Sequence, residues 1–243
     1  TNGSNDYYLQ PGTAGSLTFD VSSGNASITK STGRNDQIYA PITLNDNLDV
    51  TNNSSGHLYL RGGVNNNGYD MTFDGSGWTR FQDAPGISGL GNVIKNGSGV
   101  LVLGNGGTTP IHTYTGTTTV NDGVVMYYGN KAAGNHTLNN GMLTDYYRQT
   151  NIFSGGLGTG NNQIQIYGDS GFGGGNGNSN WRIGAQNSIL QWGSTYFNPT
   201  SLKFLAPGVD NMGTSIYGQV TLQNGLDLNG AALAAVQKIT LDF

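Results

Sequence analysis

The sequence predicts an all-β fold in which the chain winds into a solenoid of parallel strands. Three observations support this prediction. An eight-residue pattern recurs four times, short apolar runs alternate with clusters of Gly, Asn and Ser, and helix signals are nearly absent. A chain that repeats one corner motif is typical of stacked coils, so we expect a single elongated β-solenoid domain over residues 1–243.

Each copy of the eight-residue pattern, here called an octad, has Thr, an aliphatic residue, a polar pair, Gly or Asn, and then alternating apolar residues. This order predicts two short strands joined at a corner, where Gly or Asn adopts positive φ at little cost. The spacing of the copies indicates one coil per roughly 20–27 residues. The four copies are Thr43–Val50, Thr119–Met126, Thr137–Thr144 and Thr221–Leu228.

Composition sets the chain apart from an average cytosolic enzyme. Charged residues make up 10%, against about 25% in typical domains, and glycine accounts for 41 positions. The net charge of −4 with ten Lys and Arg leaves no basic stripe, which argues against nucleic acid and an anionic membrane surface as partners. No apolar stretch approaches the ~20 residues that span a bilayer, so we expect no membrane insertion.

The solenoid is expected to have three parts. Residues 1–40 form N-terminal coils or a cap, and residues 41–228 form the repeat coils. Within the repeat, the Gly- and Asn-rich segment 168–180 is predicted to protrude as a loop. Residues 229–243 are predicted to form a short cap helix, with Asn229 as its N-cap and 231–236 as its apolar body, followed by a last strand that pairs within the coil.

The segment from Gly89 to Val125 has glycine, aliphatic and a few polar residues at regular spacing. These positions are Gly89, Gly91, Val93, Lys95, Gly97, Gly99, Leu101, Leu103, Gly104, Tyr114, Gly116, Thr118, Val120, Gly123 and Val125. In this pattern the segment resembles the autotransporter-associated β-strand repeat of bacterial passenger proteins, except that Asn92 replaces its second paired Gly and an insertion at 105–112 separates its halves. The resemblance implies a right-handed parallel β-helix exported to the bacterial cell surface or beyond, and it implies no catalytic residue.

Aliphatic residues alone are too few to stabilise this chain. Burying a Val or Leu contributes about 1.5–3 kcal/mol, whereas ordering each backbone residue costs about 1–2 kcal/mol. We therefore expect backbone ladders between coils and stacked Asn side chains to supply the remainder. Leu101 is expected to face the interior.

The sequence contains few residue patterns that indicate catalysis. The three histidines lack metal-ligand spacing, and Gly155–Gly160 lacks the Asp of a calcium repeat, so no metal and no cofactor are predicted. Glycoside hydrolysis needs two nearby carboxylates, and the candidates Asp46, Asp122 and Asp227 lie in or beside corners where turn geometry favours Asp. No catalytic residue is assigned, and a carbohydrate-active β-helix stays as the alternative.

Two sets of side chains are candidate contact residues. Five aromatic residues could stack on sugar rings if they line one face, although they could instead fill the coil. The apolar residues of the first and last strands could join copies of the chain head to tail, because an uncovered end coil presents unpaired backbone groups. The aromatic set is Tyr146, Tyr147, Trp181, Trp192 and Tyr196, and the end set is Tyr7, Tyr8, Leu9, Ile239, Leu241 and Phe243.

The sequence thus predicts a non-enzymatic structural or adhesive β-solenoid, secreted or displayed on the bacterial cell surface. It could assemble end to end into a filament or surface layer, with itself or host and matrix glycans as partners. The alternative is a carbohydrate-active or glycan-binding β-helix. The first residue, Thr1, is consistent either with a processed exported product or with an excised fragment.

Overall fold

The computed structural model describes residues 6–81, 85–104, 112–129, 131–146, 150–174, 178–205, 219–229 and 238–242. These ranges contain only strands and connecting turns, and the strands pair in parallel in every ladder. The prediction of an all-β parallel solenoid is confirmed. Within these ranges no helix has the length and apolar character needed to cross a membrane.

The strands are short, as the brief apolar runs predict. They are β1 (Tyr7–Leu9), β2 (Leu17–Phe19), β3 (Ala26–Lys30), β4 (Asp36–Ile38), β5 (Ile42–Leu44), β6 (Leu48–Asn52), β7 (Leu58–Leu60), β8 (Val64–Asn65), β9 (Met71–Asp74), β10 (Trp78–Phe81), β11 (Ile87–Ser88), β12 (Val93–Lys95), β13 (Val100–Gly104), β14 (Thr118–Val120), β15 (Val124–Tyr128), β16 (His136–Asn139), β17 (Met142–Asp145), β18 (Thr150–Phe153), β19 (Gly156–Leu157), β20 (Gln163–Gly174), β21 (Ser179–Ile183), β22 (Ile189–Gln191), β23 (Phe197–Leu205), β24 (Val220–Leu222), β25 (Gly225–Asp227) and β26 (Lys238–Asp242).

Most strands form three stacks that run along the coil axis, and C-terminal strands form two further parallel sheets, β18–β21–β24 and β22–β25. Stack 1 contains β3, β6, β9, β12, β14, β16 and the first halves of β20 and β23. Stack 2 contains β1, β4, β7, β10, β13, β15, β17, the second halves of β20 and β23, and β26. Stack 3 begins with β2, β5, β8 and β11.

The coil period follows from residues that pair along stack 1. From Ala26 to Ile164 successive partners are 22, 23, 22, 25, 18 and 28 residues apart. The early coils therefore match the predicted period, and the later coils vary because their corners differ in length. The paired strands of stacks 1 and 2 keep register, apart from one shift between Gly168 and Asp169 where β20 pairs with β23.

Register connects the two ends of stack 2 without a break. One line of paired positions, here called the stack 2 column, has two members at its ends, Tyr7 and Leu241, and Leu101 near its middle. Its ten members are Tyr7, Asp36, Leu58, Thr79, Leu101, Val125, Leu143, Phe172, Phe204 and Leu241. Leu101, Val125, Leu143 and Phe172 are fully buried in the central core, as the sequence predicts for Leu101.

Each octad does form two strands around a corner, but the octads do not share one corner. Thr119–Met126 and Thr137–Thr144 lie directly on one another between stacks 1 and 2. Thr43–Val50 instead turns from stack 3 into stack 1. The octad is therefore a general corner sequence, and its spacing along the chain is not the coil period.

The residues with positive φ are not all at the Gly or Asn position that was predicted for each octad. Gly123 has φ +67°, but in the next octad Asn140 takes the left-handed conformation at φ +73°, while Asn47 and Gly225 do not. Gly141 is needed for space, because a Cβ there would lie 2.3 Å from Cγ1 of Val120. Asn and Gly are thus favoured for two separate reasons at these corners.

Asn side chains stack between coils, as expected. Asn121 donates through Nδ2 to Oδ1 of Asn96 at 2.8 Å, one coil away. A second ladder precedes the stack 1 strands: the backbone N of Asn92 donates to Oδ1 of Asp70 at 3.0 Å, and the backbone N of Thr117 donates to Oδ1 of Asn92 at 2.8 Å. Asn92, the departure from the family pattern, therefore bridges two coils.

The predicted protruding loop at 168–180 is wrong over most of its length. Gly171–Gly174 pairs with β17 on one side and with β23 on the other, and Phe172 is fully buried. A Cβ at Gly171 would lie 1.8 Å from the carbonyl O of Lys203, so only glycine permits this approach. The sequence misled because a glycine run contributes no apolar alternation. The predicted cap helix at 231–236 lies outside the described residues.

Candidate functional site: the open coil end

The first coil leaves one edge of its strands unpaired within the described residues. β1, β2 and β3 pair only with β4, β5 and β6, their counterparts in the second coil. Tyr7, Tyr8 and Leu9 are 47%, 53% and 47% exposed, although β1 continues the buried stack 2. Such an edge is a template for strand addition, and the apolar side chains on it favour a partner over water.

A groove of 520 Å³ opens at this end of the coil. It is lined by Tyr7 and Leu9 of β1, Ile28 of β3, Ile38 of β4 and Leu58 of β7. Leu58 is buried, but Ile28 and Ile38 are only partly buried, so apolar side chains of the first two coils are uncovered at this opening.

An ion pair lies in the groove wall. Lys30 Nζ is 2.5 Å from Oδ2 of Asp36 and donates to the carbonyl O of Thr32 at 3.1 Å. The other carboxylate oxygen of Asp36 accepts from the backbone N of Tyr7 at 3.1 Å. Asp36 occupies the column position that Leu58 takes in the next coil. This carboxylate thus fixes β1 to the second coil through a side chain.

At the opposite end, β26 pairs with β23 of the same chain, as predicted. Ile239 and Leu241 are in register with Leu202 and Phe204. The second edge of β26 has no partner within the part of the chain that is described. Phe243, the last of the predicted end residues, lies outside that part.

The predicted glycan-contact set does not line one face. Trp181 is fully buried, packs against Phe172 at 4.9 Å between ring centroids, and donates through Nε1 to the carbonyl O of Gly173 at 3.0 Å. Trp192 is in the same core and contacts Phe197. The prediction that Trp181 and Trp192 contact glycans is therefore wrong, because both large rings are buried in the core of the C-terminal coils.

The remaining members of that set are separated. Tyr146 lies on the outer side of stack 2, and its ring stacks on Tyr128 with centroids 4.0 Å apart. Tyr196 is half-buried beside stack 1, where its carbonyl O accepts from the backbone N of Ile166. Tyr147 lies outside the described residues.

Sequence reasoning missed an aromatic array on the outer side of stack 2. His57 stacks on Trp78 and Tyr59, and the Arg80 guanidinium lies 5.7 Å from the Tyr59 ring centroid. The sequence did indicate this array, because VLVLG in β13 and VVMYY in β15 place apolar residues on both faces of the strand. Because these rings stack on each other along the axis, their faces are turned to one another and not to solvent.

The three histidines are buried and hold structural positions. Burial, aided by the Arg80 guanidinium, lowers the pKa of His57 to about 4, and burial lowers the pKa of His112 to about 3. Burial with the Lys131 ammonium lowers the pKa of His136 to about 3. All three are therefore neutral at pH 7, and none has the exposure expected of a catalytic base.

Hydrogen bonds fix the tautomers of His136 and His112. Nδ1 of His136 lies 3.1 Å from the carbonyl O of Gly134 and must donate to it, so Nε2 accepts from the hydroxyl of Tyr127 at 2.6 Å. In His112, Nδ1 accepts from the backbone N of Ile87 at 3.2 Å. The protonated Nε2 of His112 is buried without a partner.

The three candidate acids serve their corners. Asp46 accepts from the backbone N of Val21 at 2.7 Å, Asp122 from that of Gly123 at 2.7 Å, and Asp227 from that of Asn229 at 2.8 Å. They belong to different corners and do not form a carboxylate pair. Among the described residues no group of three metal-ligating side chains comes together.

Lys95 closes a corner of the middle coils. It is 2% exposed, stands in register between Phe73 and Val120, and its Nζ donates to the carbonyl O of Gly97 at the corner. Burial lowers the pKa of Lys95 to about 8, opposed by the carboxylates of Asp122 and Asp74. The stem thus lies on the core while the ammonium closes the corner.

Comparison with protein-family models, curated proteins and solved structures found no match for this chain.

Proposed function

We propose that this protein is a non-enzymatic structural solenoid, acting outside the cell or on the bacterial cell surface, that assembles end to end into a filament or layer. The single observation that carries the proposal is the first coil, whose strands have one edge unpaired among the described residues and whose apolar residues Tyr7, Tyr8 and Leu9 are about half exposed. Exposed apolar residues on a strand edge favour association with another strand.

The use of the polar side chains supports a scaffold role. Asn92, Asn121 and Asp70 make hydrogen bonds that join one coil to the next. Buried Asn52 likewise donates to the carbonyl O of Gly56 and of Trp78, in neighbouring coils. Groups that would carry chemistry in an enzyme are here part of the coil-to-coil contacts.

The export expectation rests on the resemblance of Gly89–Val125 to the autotransporter-associated repeat. Adhesion to host or matrix glycans belongs to the same proposal. The outer rings of stack 2 face one another, so such contacts would use ring edges and the Arg61 and Arg80 guanidinium groups, in place of stacked sugar rings.

The test is the size of the purified chain as a function of concentration. We expect elongated particles by electron microscopy and a sedimentation coefficient that rises with concentration, and we expect both to be lost when residues 239–243 are removed. A monodisperse monomer at millimolar concentration would contradict assembly. Release of reducing or unsaturated ends from a polysaccharide panel would favour the carbohydrate-active alternative.

A further inference from the structure

We infer that the joint between copies is a register-continuing strand addition, in which β26 of one copy pairs in parallel with β1 of the next, placing Leu241 opposite Tyr7 and Asp242 opposite Tyr8. This inference rests on the proposed assembly and specifies its partner, its polarity and its register. The occupant of the open end is a second copy of this chain.

The register of the strands is compatible with a joint between β26 and β1. The stack 2 column passes through ten paired positions from Tyr7 to Leu241, so both end strands lie on the same side of the coil. A neighbouring line passes from Tyr8 through Val102 to Asp242 in the same ten strands. A second copy translated along the axis would extend both lines by one more step.

Polarity supplies the second argument. Every ladder in stack 2 is parallel, so β1 and β26 run in the same direction and offer opposite edges. Joining β26 to β1 therefore repeats the pairing already made nine times in the stack. Joining two β1 edges would instead require a strand direction that no ladder of the stack uses. Head-to-tail contact between identical chains is open and builds a filament.

The groove supplies the third argument. The 520 Å³ opening is lined by Tyr7 and Leu9 of β1, the strand whose second edge is unpaired within the described residues. Ile28, Ile38 and Leu58 line it, so a strand carrying alternating apolar residues suits it better than a polar peptide. The sequence of β26, Lys238 to Asp242, has that alternation. Covering the groove would bury Ile28 and Ile38, which are only partly buried in the single chain.

Disulfide trapping tests this joint directly, because the chain has no cysteine of its own. Neighbouring strands are about 4.8 Å apart, which is within the about 4.4–6.8 Å between Cα atoms that a disulfide spans. We would prepare Tyr8→Cys and Asp242→Cys separately and oxidise each alone and in an equal mixture. The control is Ser98→Cys, at an exposed corner of a middle coil.

The expected result is a covalent dimer in the mixture, at least ten times more abundant than in either variant alone or in the Ser98→Cys control. A dimer of Tyr8→Cys alone would overturn the inference in favour of a head-to-head joint. Filaments that form without the mixed disulfide would overturn this register and leave the proposed assembly intact. Monomers throughout would overturn both.

A charge on the edge provides a second measurement. Tyr8→Lys should weaken self-association at least tenfold, because a lysine on a strand edge opposes pairing. Tyr69→Lys is the matched control, since Tyr69 is also exposed, at 36%, but lies at a corner of a middle coil. Both variants should keep the thermal midpoint of the monomer. Equal self-association in the two variants would count against a joint at β1.

Discussion

The first coil and the middle coils place the same register positions in opposite environments. Tyr7 and Leu101 belong to one column of stack 2, yet Tyr7 is 47% exposed and Leu101 is fully buried. The difference is the number of neighbouring coils, which is one for Tyr7 and two for Leu101. In a solenoid, burial is thus decided by the coils above and below more than by the residue's own strand.

The largest expected effect separates these two positions by one substitution. Leu101→Asp should lower the free energy of unfolding by about 4 kcal/mol or more, because it buries an unpaired charge. Tyr7→Asp should cost about 1 kcal/mol or less, since water reaches that edge. Urea denaturation of both variants measures the difference. Similar losses would show that the first coil is covered in the monomer.

Acid should weaken the middle coils through their histidines. The pKa values of His57, His112 and His136 are lowered to about 4, 3 and 3, against 6.5 in the unfolded chain. The unfolded state therefore binds more protons below pH 6.5, and stability falls as the pH is lowered from there. Each histidine contributes a slope of up to about 1.4 kcal/mol per pH unit.

Denaturation between pH 6.5 and 5 measures this slope before ordinary carboxylates titrate. His112→Gln should reduce it by about one third, because one of three similar groups is removed. The matched control is Gln10→His, which adds a histidine at an exposed position of the first coil and should leave the slope unchanged. A slope that His112→Gln does not alter would contradict the buried, neutral state of His112.

A smaller effect compares the two buried lysines. Lys95 serves a middle corner through the carbonyl O of Gly97, whereas Lys30 serves the end coil through Asp36. Lys95→Ala should cost about 2–3 kcal/mol through lost packing, and Lys95→Met about 1 kcal/mol or less, because an apolar chain of similar volume replaces a buried charge.

Lys30→Met should cost about 1–2 kcal/mol, since the partly buried Asp36 then lacks its cation. Thermal or urea midpoints of the three lysine variants provide the measurement. Equal losses for Lys95→Met and Lys95→Ala would show that the ammonium, and not the stem, stabilises the corner.

Much of the fold could be predicted because each strand carries its own local signal. The runs at Leu17, Met71 and Trp78 each became strands, and Leu101 faces the core. The apolar run Tyr7–Leu9 was predicted as an end strand, and within the described residues β1 pairs on one edge only.

The wrong predictions have one physical cause, which is that the surroundings of a side chain depend on residues distant in the sequence. Trp181 and Trp192 were ambiguous because a large aromatic ring suits a sugar-binding face and a core equally well, and only the packing around Phe172 and Phe197 distinguishes them. The strand at Gly171–Gly174 was missed because glycine shows its purpose only when the backbone that approaches it is known.

By itself the sequence determined the local rule of this protein, a short strand followed by a polar corner, because strand propensity and turn chemistry act between near neighbours in the chain. Only the tertiary structure decided which corner each octad occupies, which aromatic rings are buried, and that Tyr7 and Leu241 share one column. These depend on contacts between residues of neighbouring coils, which are distant in the sequence, and the length of one coil varies from 18 to 28 residues.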